Sequence, residues 1–544
     1  MATTTAVPDL DPRTGAPPRR AGGDLLEGDR PLRDALVREG AGELLAEVHA
    51  AGRTFAAGDA IDDGTIANVA TPQIVGPAEV RFDPAFHAIM RRAVEHGITG
   101  VPWADERPGA HVARAAKFML LAQVEAGSTC PMAMTYSCVP ALRLSDAVAA
   151  EWEPRVSSGV YDPRELPAEA KDGALIGMAL TEAAGGSDLA GLTTVGRPLG
   201  GDAYAVSGVK WFVSAIQSDA FFVLAKTETG ISCLLVPRLR DDGTPNGFEI
   251  TALKDKLGNR SNPTAEVTLT DAHGRLVGEE GRGVAAIMAM IGGTRTDCVL
   301  GSTAVMRLGT AEAIHHGDHR HAFGRALSEQ PVMTAVLADL ALETEAAVAA
   351  ALWLVRLAER SRAGDEGAEL VRRIAAPALK YWICKRAPIH AAEAIECQGG
   401  FGYMEDSRLA RCYREAPLMS IWEGSGNVQT LDVLRAVQRT PAVLEALLAE
   451  LDAAAGGDRR LDARTAELRA LVADPQRLAA DPRGLAARIA LALQAAVLVR
   501  GAPFEVADAF CASRLADGPP AVFGALPASV DAAAVVARHR PQDG

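Results

Sequence analysis

The stretch Ile421-Trp422-Glu423-Gly424-Ser425-Gly426-Asn427 sets a carboxylate between an indole and a glycine, just after the polar turn Arg414-Glu415-Ala416-Pro417. A carboxyl group beside an indole is partly desolvated, and desolvation raises its pKa from ~4.3 toward neutrality. A carboxylate tuned in that way is a usable general base near neutral pH. The glycines let backbone approach a ligand closely, and Ser425 and Asn427 add short hydrogen-bonding side chains to the same turn. The same residues also read as a plain surface turn between two helices.

Four other segments carry residue types that could hold a ligand. Thr181-Glu182-Ala183-Ala184-Gly185-Gly186-Ser187-Asp188 follows an apolar run and offers backbone N–H groups and two hydroxyls. It is neither a dinucleotide GxGxxG fingerprint nor a Walker loop. Lys210-Trp211-Phe212-Val213-Ser214 puts an aromatic and a hydroxyl two residues apart, hence on one face of a strand. Arg320-His321-Ala322-Phe323-Gly324 reads as a helix end joining a cation to an aromatic three residues on. Gln398-Gly399-Gly400-Phe401-Gly402-Tyr403 is a glycine-rich turn suited to a pyrophosphate. Each segment alone also has an ordinary structural reading.

The elements that must position these groups follow from composition and periodicity. The 544 residues suffice for three or four domains. Hydrophobic content of 48% with 23% charged residues is globular, and no apolar run is expected to span a bilayer. The formal charge of -14 argues against a surface that binds nucleic acid everywhere, while leaving room for a local basic patch. The 8 cysteines form no Cys-x-x-Cys pair, so no metal site or redox dithiol is expected; their dispersal fits a reducing cytoplasm. Residues 1–30 lack a signal-like apolar region and read as a mobile leader.

Residues 31–175 are helical in pattern, with a strong segment from Val112 to Glu125. The run Cys130 to Tyr136 reads either as core or as a pocket wall. A strand candidate at Ala174–Leu180 crosses into residues 176–282, which carry further short strands at Tyr204–Ser214, Phe221–Leu224, Ser232–Val236, Phe248–Leu253 and Ala265–Leu269, a small antiparallel, barrel-like β domain. Helical texture returns over 283–440, with Val284, Ile287, Met288 and Ile291 as one face, and suggests a bundle. Residues 441–544 form a further helical extension, its main apolar face at Leu485, Ile489, Leu491, Leu493 and Val497, ending in a frayed tail from Ala532. The expected class is α+β, mainly helical.

In this order the segments resemble the acyl-CoA dehydrogenase flavoprotein family. The likeness rests on Leu180-Thr181-Glu182 with Gly186-Ser187-Asp188, Lys210 to Ser214, Arg320 to Gly324 with Gln330, Gln398 to Tyr403, and Trp422 to Ser425, and spans Pro31 to Arg439. Within the family the chain looks most like the AidB-type adaptive-response proteins, through Lys254 to Asn262, Tyr381 to Arg386, Ile421 to Asn427 and the extension after Arg439. The resemblance implies the acyl-CoA dehydrogenase fold: helical domain, β domain, helical bundle. It also implies non-covalent FAD, an acyl-CoA thioester as substrate, and a homotetramer. Leu180, Thr181, Gly186 and Ser187 would hold the flavin, and Phe212 and Ser214 would pack and hydrogen-bond its ring. Arg320, Phe323 and Gln330 would reach the FAD of a neighbouring subunit, with Gln398, Gly399 and Gly400 at its pyrophosphate. Trp422, Ser425 and Asn427 would also face the cofactor, the last two standing where the family has Thr and Gln. Glu423 matches the catalytic base; the place of the alternative base in some relatives is Thr294, before Arg295.

Three functions compete on that fold. The first is oxidation of a short or branched acyl-CoA, with Glu423 taking the α-proton. The second is an AidB-like flavoprotein that binds double-stranded DNA in alkylation damage, with vestigial dehydrogenation. It would need a basic patch from Arg459, Arg460, Arg464, Arg469, Arg477, Arg483, Arg488 and Arg500. The third is a flavin oxidase or monooxygenase, for which the nitroalkane-oxidase-like pattern would carry Asp where Glu423 stands. The residues name neither an acyl chain length nor an electron acceptor.

Overall fold

A computed structural model describes residues 10–11, 16–18, 20, 23–105, 107–472, 480–516 and 522–540. The chain forms two compact units, one of Thr54–Ala110 and Val124–Asp297, the other of Met1–Arg53, His111–Gln123 and Cys298–Gly544.

The first unit is built on a sheet. The region expected to be helical holds a short hairpin, β1 (Gln73–Gly76) with β2 (Glu79–Arg81), placed by the breakers Pro72, Gly76 and Pro77. Seven strands follow: β3 (Ile176–Ala179), β4 (Val195–Gly200), β5 (Ala203–Ser214), β6 (Ala220–Lys226), β7 (Ile231–Pro237), β8 (Phe248–Leu253) and β9 (Thr264–Val277). Their order is β3-β6-β4-β5-β9-β7, with β8 on β9 and β6 also paired to β7. The β6–β7 pairing returns the path to β6, so five strands close into a ring around Phe221, Leu234, Val236 and Val267, all buried, while Phe222 is buried on the opposite face. The domain is mixed rather than wholly antiparallel: β3 runs parallel to β6. A parallel neighbour needs a long connection, and here β4 and β5 lie within it. Two register shifts interrupt the β5–β9 ladder, one between Lys210 and Val213. That bulge re-aims Trp211 and Phe212 at the strand end.

The second unit is helical. Its centre is the pair Pro331–Arg362 and Glu366–Cys397, joined by a tight turn with Gly364 at φ +92. From Leu337 to Val355 the first of these is buried on every side, the pattern of a helix surrounded by others. The helix Pro482–Gly501 packs against both and against Gly426–Arg439. Its buried residues Leu485, Ile489, Leu493 and Val497 form one stripe, while Leu491 falls beside it.

Three expectations change. Gly283–His319 and Pro482–Gly501 are in fact long and apolar enough to cross a bilayer, although the apolar stripe of the second is core. Val284 and Met288 are exposed while Ile287 and Met290 are buried, so the inward face of that helix is offset from the expected one. The tail is not frayed up to residue 540: Ala532–His539 is a helix with Val535 and Val536 buried. Arg538 bonds Glu345 at 2.8 Å, and His539 lies 3.1 Å from the same carboxylate. Residues 541–544 lie outside the described residues, as do 1–9 of the expected leader. Within that leader Leu26 and Asp29 are buried, and Asp29 pairs with Arg307 at 2.9 Å.

Candidate active site

Glu423 stands where the chain passes from the turn Leu418–Ser420 into the helix Gly426–Arg439. Its backbone is left-handed, φ +56, and Gly424 follows at φ +98. For a residue with a Cβ that conformation costs roughly 1–2 kcal/mol, so the surroundings must hold it. They do so through the carbonyls. Lys380, from the helix Glu366–Cys397 and 1% exposed, donates to Met419 O at 3.2 Å, Trp422 O at 2.9 Å and Gly424 O at 2.9 Å. Gln429 donates from Nε2 to Glu423 O at 3.1 Å and Gly424 O at 3.0 Å. A side chain at Gly424 would strike Gln429 and Val428, and one at Gly426 would strike Lys385. Below the turn, Trp422 packs on Cys298, Cys384 and Met419. Glu423 itself is half-buried, beside the exposed Ile421 and Ser425.

The expected flavin-facing residues of the sheet unit lie on the turn after β3 and on the end of β5, which one backbone hydrogen bond joins. Leu180 and Thr181 leave the end of β3, and Thr181 O accepts from Trp211 N at 2.9 Å, tying the turn to β5. Gly186 lies so close to Thr181 that a Cβ there would stand 2.5 Å from Oγ1. Gly186 and Ser187 are exposed, and Phe212 is 52% exposed although apolar. Ser214 Oγ lies 2.9 Å from Thr264 Oγ1, which accepts from Lys256 at 3.0 Å. Lys254 stands 3.5 Å from the centre of the Trp211 ring.

On the turn after β3, Glu182 is almost fully enclosed. It accepts from the N–H and hydroxyl of Thr193, both at 2.6 Å, from those of Thr194 at 3.0 and 2.6 Å, and from Lys210 at 3.0 Å. Burial alone would push its carboxyl up; the hydrogen bonds from Thr193, Thr194 and Lys210 outweigh it and bring it down to about 2 from an ordinary 4.5. A depressed carboxylate stabilises the fold fully above its unfolded value and loses that contribution as pH falls through its folded one. We therefore expect thermal stability to drop between pH 4.5 and about 2, and the drop to be shallower in Glu182→Gln. Equal slopes in pH-dependent thermal melts would remove Glu182 as the cause.

Arg320 does close a helix, its N–H donating to His316 O at 2.8 Å, but Phe323 lies beyond that end. The last helical residue is His319, and a hairpin of β10 (His321–Ala322) and β11 (Arg325–Ala326) follows. Phe323 and Gly324 are its two tip residues, with φ +54 and +86, and Phe323 is 96% exposed. Two successive positive φ values define the hairpin turn that matches strand twist, a feature hidden by the helical residues before it. Gln330 Nε2 donates to Ala322 O at 3.1 Å and so braces the hairpin. Gln398 is buried and its Oε1 accepts from Ser407, leaving Gly399 and Gly400 as the open part of that turn, with nothing within 4 Å of an added Cβ. Asn427 Oδ1 accepts from Arg483 at 3.4 Å.

These features fit FAD in kind. In the sheet unit an exposed aromatic beside a hydroxyl, and in the helical unit the open Gly399-Gly400 turn and the buried Trp422 Nε1 without a hydrogen-bond partner among the described residues, are each of the kind that a large planar, phosphate-bearing group requires. Among the described residues no group of His, Cys, Asp and Glu could hold a metal. Sequence reasoning missed Lys380 and Gln429. The available signal was a lone Lys380 inside the apolar run Ala375 to Cys384. It also gave no role to Lys210 as a partner of Glu182.

The described arginines of the extension are largely spoken for. Arg460 pairs with Asp458 and Asp508, Arg464 with Glu467, Arg469 with Asp452, Arg488 with Asp481 and Arg500 with Glu450. Arg483 lies over Tyr381, and Arg477 is outside the described residues.

Comparison with known proteins bears on the same segments. Residues 16–163 match the adaptive response protein AidB N-terminal domain, 177–272 the acyl-CoA dehydrogenase middle domain and 281–438 the acyl-CoA dehydrogenase C-terminal domain. The AidB protein of Escherichia coli (strain K12) is 43% identical over 81% of this chain and 82% of its own length. Acyl-CoA dehydrogenase family member 11 of Caenorhabditis elegans is 32% identical over 64% of this chain and 58% of its own. The solved structure of Caenorhabditis elegans ACDH-11 in complex with C11-CoA superposes with a TM-score of 0.82 at 27% identity, over 92% of this chain and 93% of that one.

Proposed function

We propose that this chain, which belongs to the acyl-CoA dehydrogenase family and within it to the AidB branch, is a working oxidoreductase that dehydrogenates a short or branched acyl-CoA thioester with Glu423 as its base. The observation that carries the reading is the turn at Glu423, a carboxylate held in a left-handed backbone by donors from two helices. The wider class of substrate is supported by the C11-CoA complex of the Caenorhabditis elegans relative.

The chemistry assigns a task to each group. Glu423 takes the α-proton of the thioester onto its carboxylate. The electron pair left behind is shared with the thioester oxygen, which needs a preorganised donor; the Glu423 backbone N–H serves. As the β-hydrogen leaves with its pair of electrons, the α,β double bond forms. When bound, FAD supplies the acceptor for that hydride. Thr181, Gly186, Ser187, Phe212 and Ser214 would hold its ring, with Leu180 behind them. Gly399, Gly400, Arg320, Gln330, Trp422, Ser425 and Asn427 would serve its remainder, with Gln398 setting the glycine turn. Phe323, a bare aromatic at a hairpin tip, suits contact with a second copy, so the reading includes a homo-oligomer of tetrameric form. The eight free cysteines fit a cytoplasmic setting.

Double-stranded DNA as a partner rests on the AidB likeness. Five of the eight candidate arginines, Arg460, Arg464, Arg469, Arg488 and Arg500, pair with carboxylates, which weakens a phosphate-binding patch, so acyl-CoA oxidation is the reading we put first.

The test is anaerobic titration of the purified yellow protein with straight and branched acyl-CoAs. At least one should bleach the flavin absorbance. A flavin-loaded protein that none of them reduces would end the dehydrogenase reading, and a protein that carries no flavin and takes up none would end the cofactor assignment.

A further inference from the structure

We propose that Lys380 is the positioning residue of the Glu423 site: its buried ammonium, by holding the carbonyls on both sides of Glu423, keeps the carboxylate and the Glu423 N–H aimed to the same working side. The proposal rests on Glu423 being the base.

An ammonium has three N–H donors and no acceptor. Lys380 has three carbonyl acceptors, Met419 O, Trp422 O and Gly424 O, at 3.2, 2.9 and 2.9 Å. Donor and acceptor numbers match, which is how a 1% exposed cation is kept without a carboxylate partner. Trp422 O belongs to the peptide that leads into Glu423, and Gly424 O to the peptide that leads out of Gly424. In a trans peptide the C=O and the following N–H point in opposite directions, and the described chain has no cis bond. Pinning Trp422 O onto Lys380 therefore turns the Glu423 N–H away from the helix Glu366–Cys397. Pinning Gly424 O, one peptide further on, onto the same ammonium brackets Glu423, which stays in the left-handed region, φ +56, the conformation a side chain avoids unless held. Gln429 closes the remaining carbonyl, Glu423 O, at 3.1 Å. The base and its N–H are thus aimed from behind, by a cation that touches neither.

Anything Lys380 does for catalysis must pass through Glu423, and a double-mutant cycle isolates that coupling. The measurement is the rate of flavin reduction by an accepted acyl-CoA in wild type, Lys380→Met, Glu423→Gln and the double variant. Lys380→Met should slow reduction roughly 10²-fold, since a misplacement of about 1 Å has that effect. Flavin content should hold, and substrate affinity should change much less than the rate. In the Glu423→Gln background the same substitution should have almost no effect. Equal fold-losses in both backgrounds would make Lys380 a general support and overturn the proposal.

Gln429→Leu, which loosens the same peptides from the other side, provides a second cycle should Lys380→Met fold poorly, with the same criterion. Hydrogen exchange of the segment 419–426 needs no turnover: it should rise at least tenfold in either variant while the rest of the chain is unchanged. Unchanged exchange there would overturn the clamp even if no thioester reduces the wild type, an outcome that by itself would count only against the dehydrogenase reading.

Discussion

Glu423→Gln is expected to slow flavin reduction by an accepted acyl-CoA by about 10²–10⁴-fold, the usual contribution of a general base. The substitution replaces a carboxylate by an amide of nearly the same shape, so the backbone that Lys380 and Gln429 hold at Trp422 O, Glu423 O and Gly424 O is untouched. Flavin content and the melting temperature should therefore stay as in wild type. Glu423→Asp keeps the charge and shortens the reach, so it should retain part of the rate. A carboxylate that only supports the fold would give the reverse pattern, lost cofactor or stability with no kinetic signature. Anaerobic stopped-flow reduction separates the two, and equal rates for wild type and Glu423→Gln would rule Glu423 out as the base.

The second large effect is expected from Lys210→Met. Lys210 is fully buried and donates to Glu182 at 3.0 Å and to Leu224 O at 2.9 Å. Burial lowers its own pKa, and the facing carboxylate works against that. Removing it leaves the enclosed Glu182 without its counter-charge, a loss of about 3–5 kcal/mol for a broken buried pair. The damage should be local first, because Glu182 sets the turn whose Thr181, Gly186 and Ser187 are proposed to hold the cofactor; flavin should be released at lower urea than the whole chain unfolds. Lys210→Met combined with Glu182→Gln removes the stranded charge; the amide oxygen keeps the bonds from one of the two threonines while its NH2 faces the N–H of the other, so the double variant should return part of the stability. If the double variant is no more stable than Lys210→Met, packing and not charge is the cause.

Much of the fold was legible because it is local. Alternation in Tyr204 to Ser214 and the apolar run Phe221 to Leu224 reappear as β5 and β6, since a side-chain period of two is a property of the strand itself. Helical stretches with wide apolar faces were legible for the same reason. Short elements were not: β1 and β2 are four and three residues long, below any period, and β10 with its tip at Phe323 is two residues against a strong helical background.

By itself the sequence determined the family, the order of helical, β and helical regions, and the one turn that offers a carboxylate beside an indole and glycine, because each is written in contiguous residues. Tertiary structure alone decided what holds that turn. Lys380 lies 39, 42 and 44 positions from the carbonyls it binds, and Lys210 lies 28 from Glu182. Nothing in a one-dimensional pattern sets such distances; they follow from how packed helices and strands face each other. The same reason governs the extension's arginines. Composition shows their number, but their charge is neutralised by pairings such as Arg460 with Asp508 and Arg500 with Glu450, 48 and 50 positions apart. Only the fold brings those groups together, so only the fold could say that positive residues in the sequence need not make a positive surface.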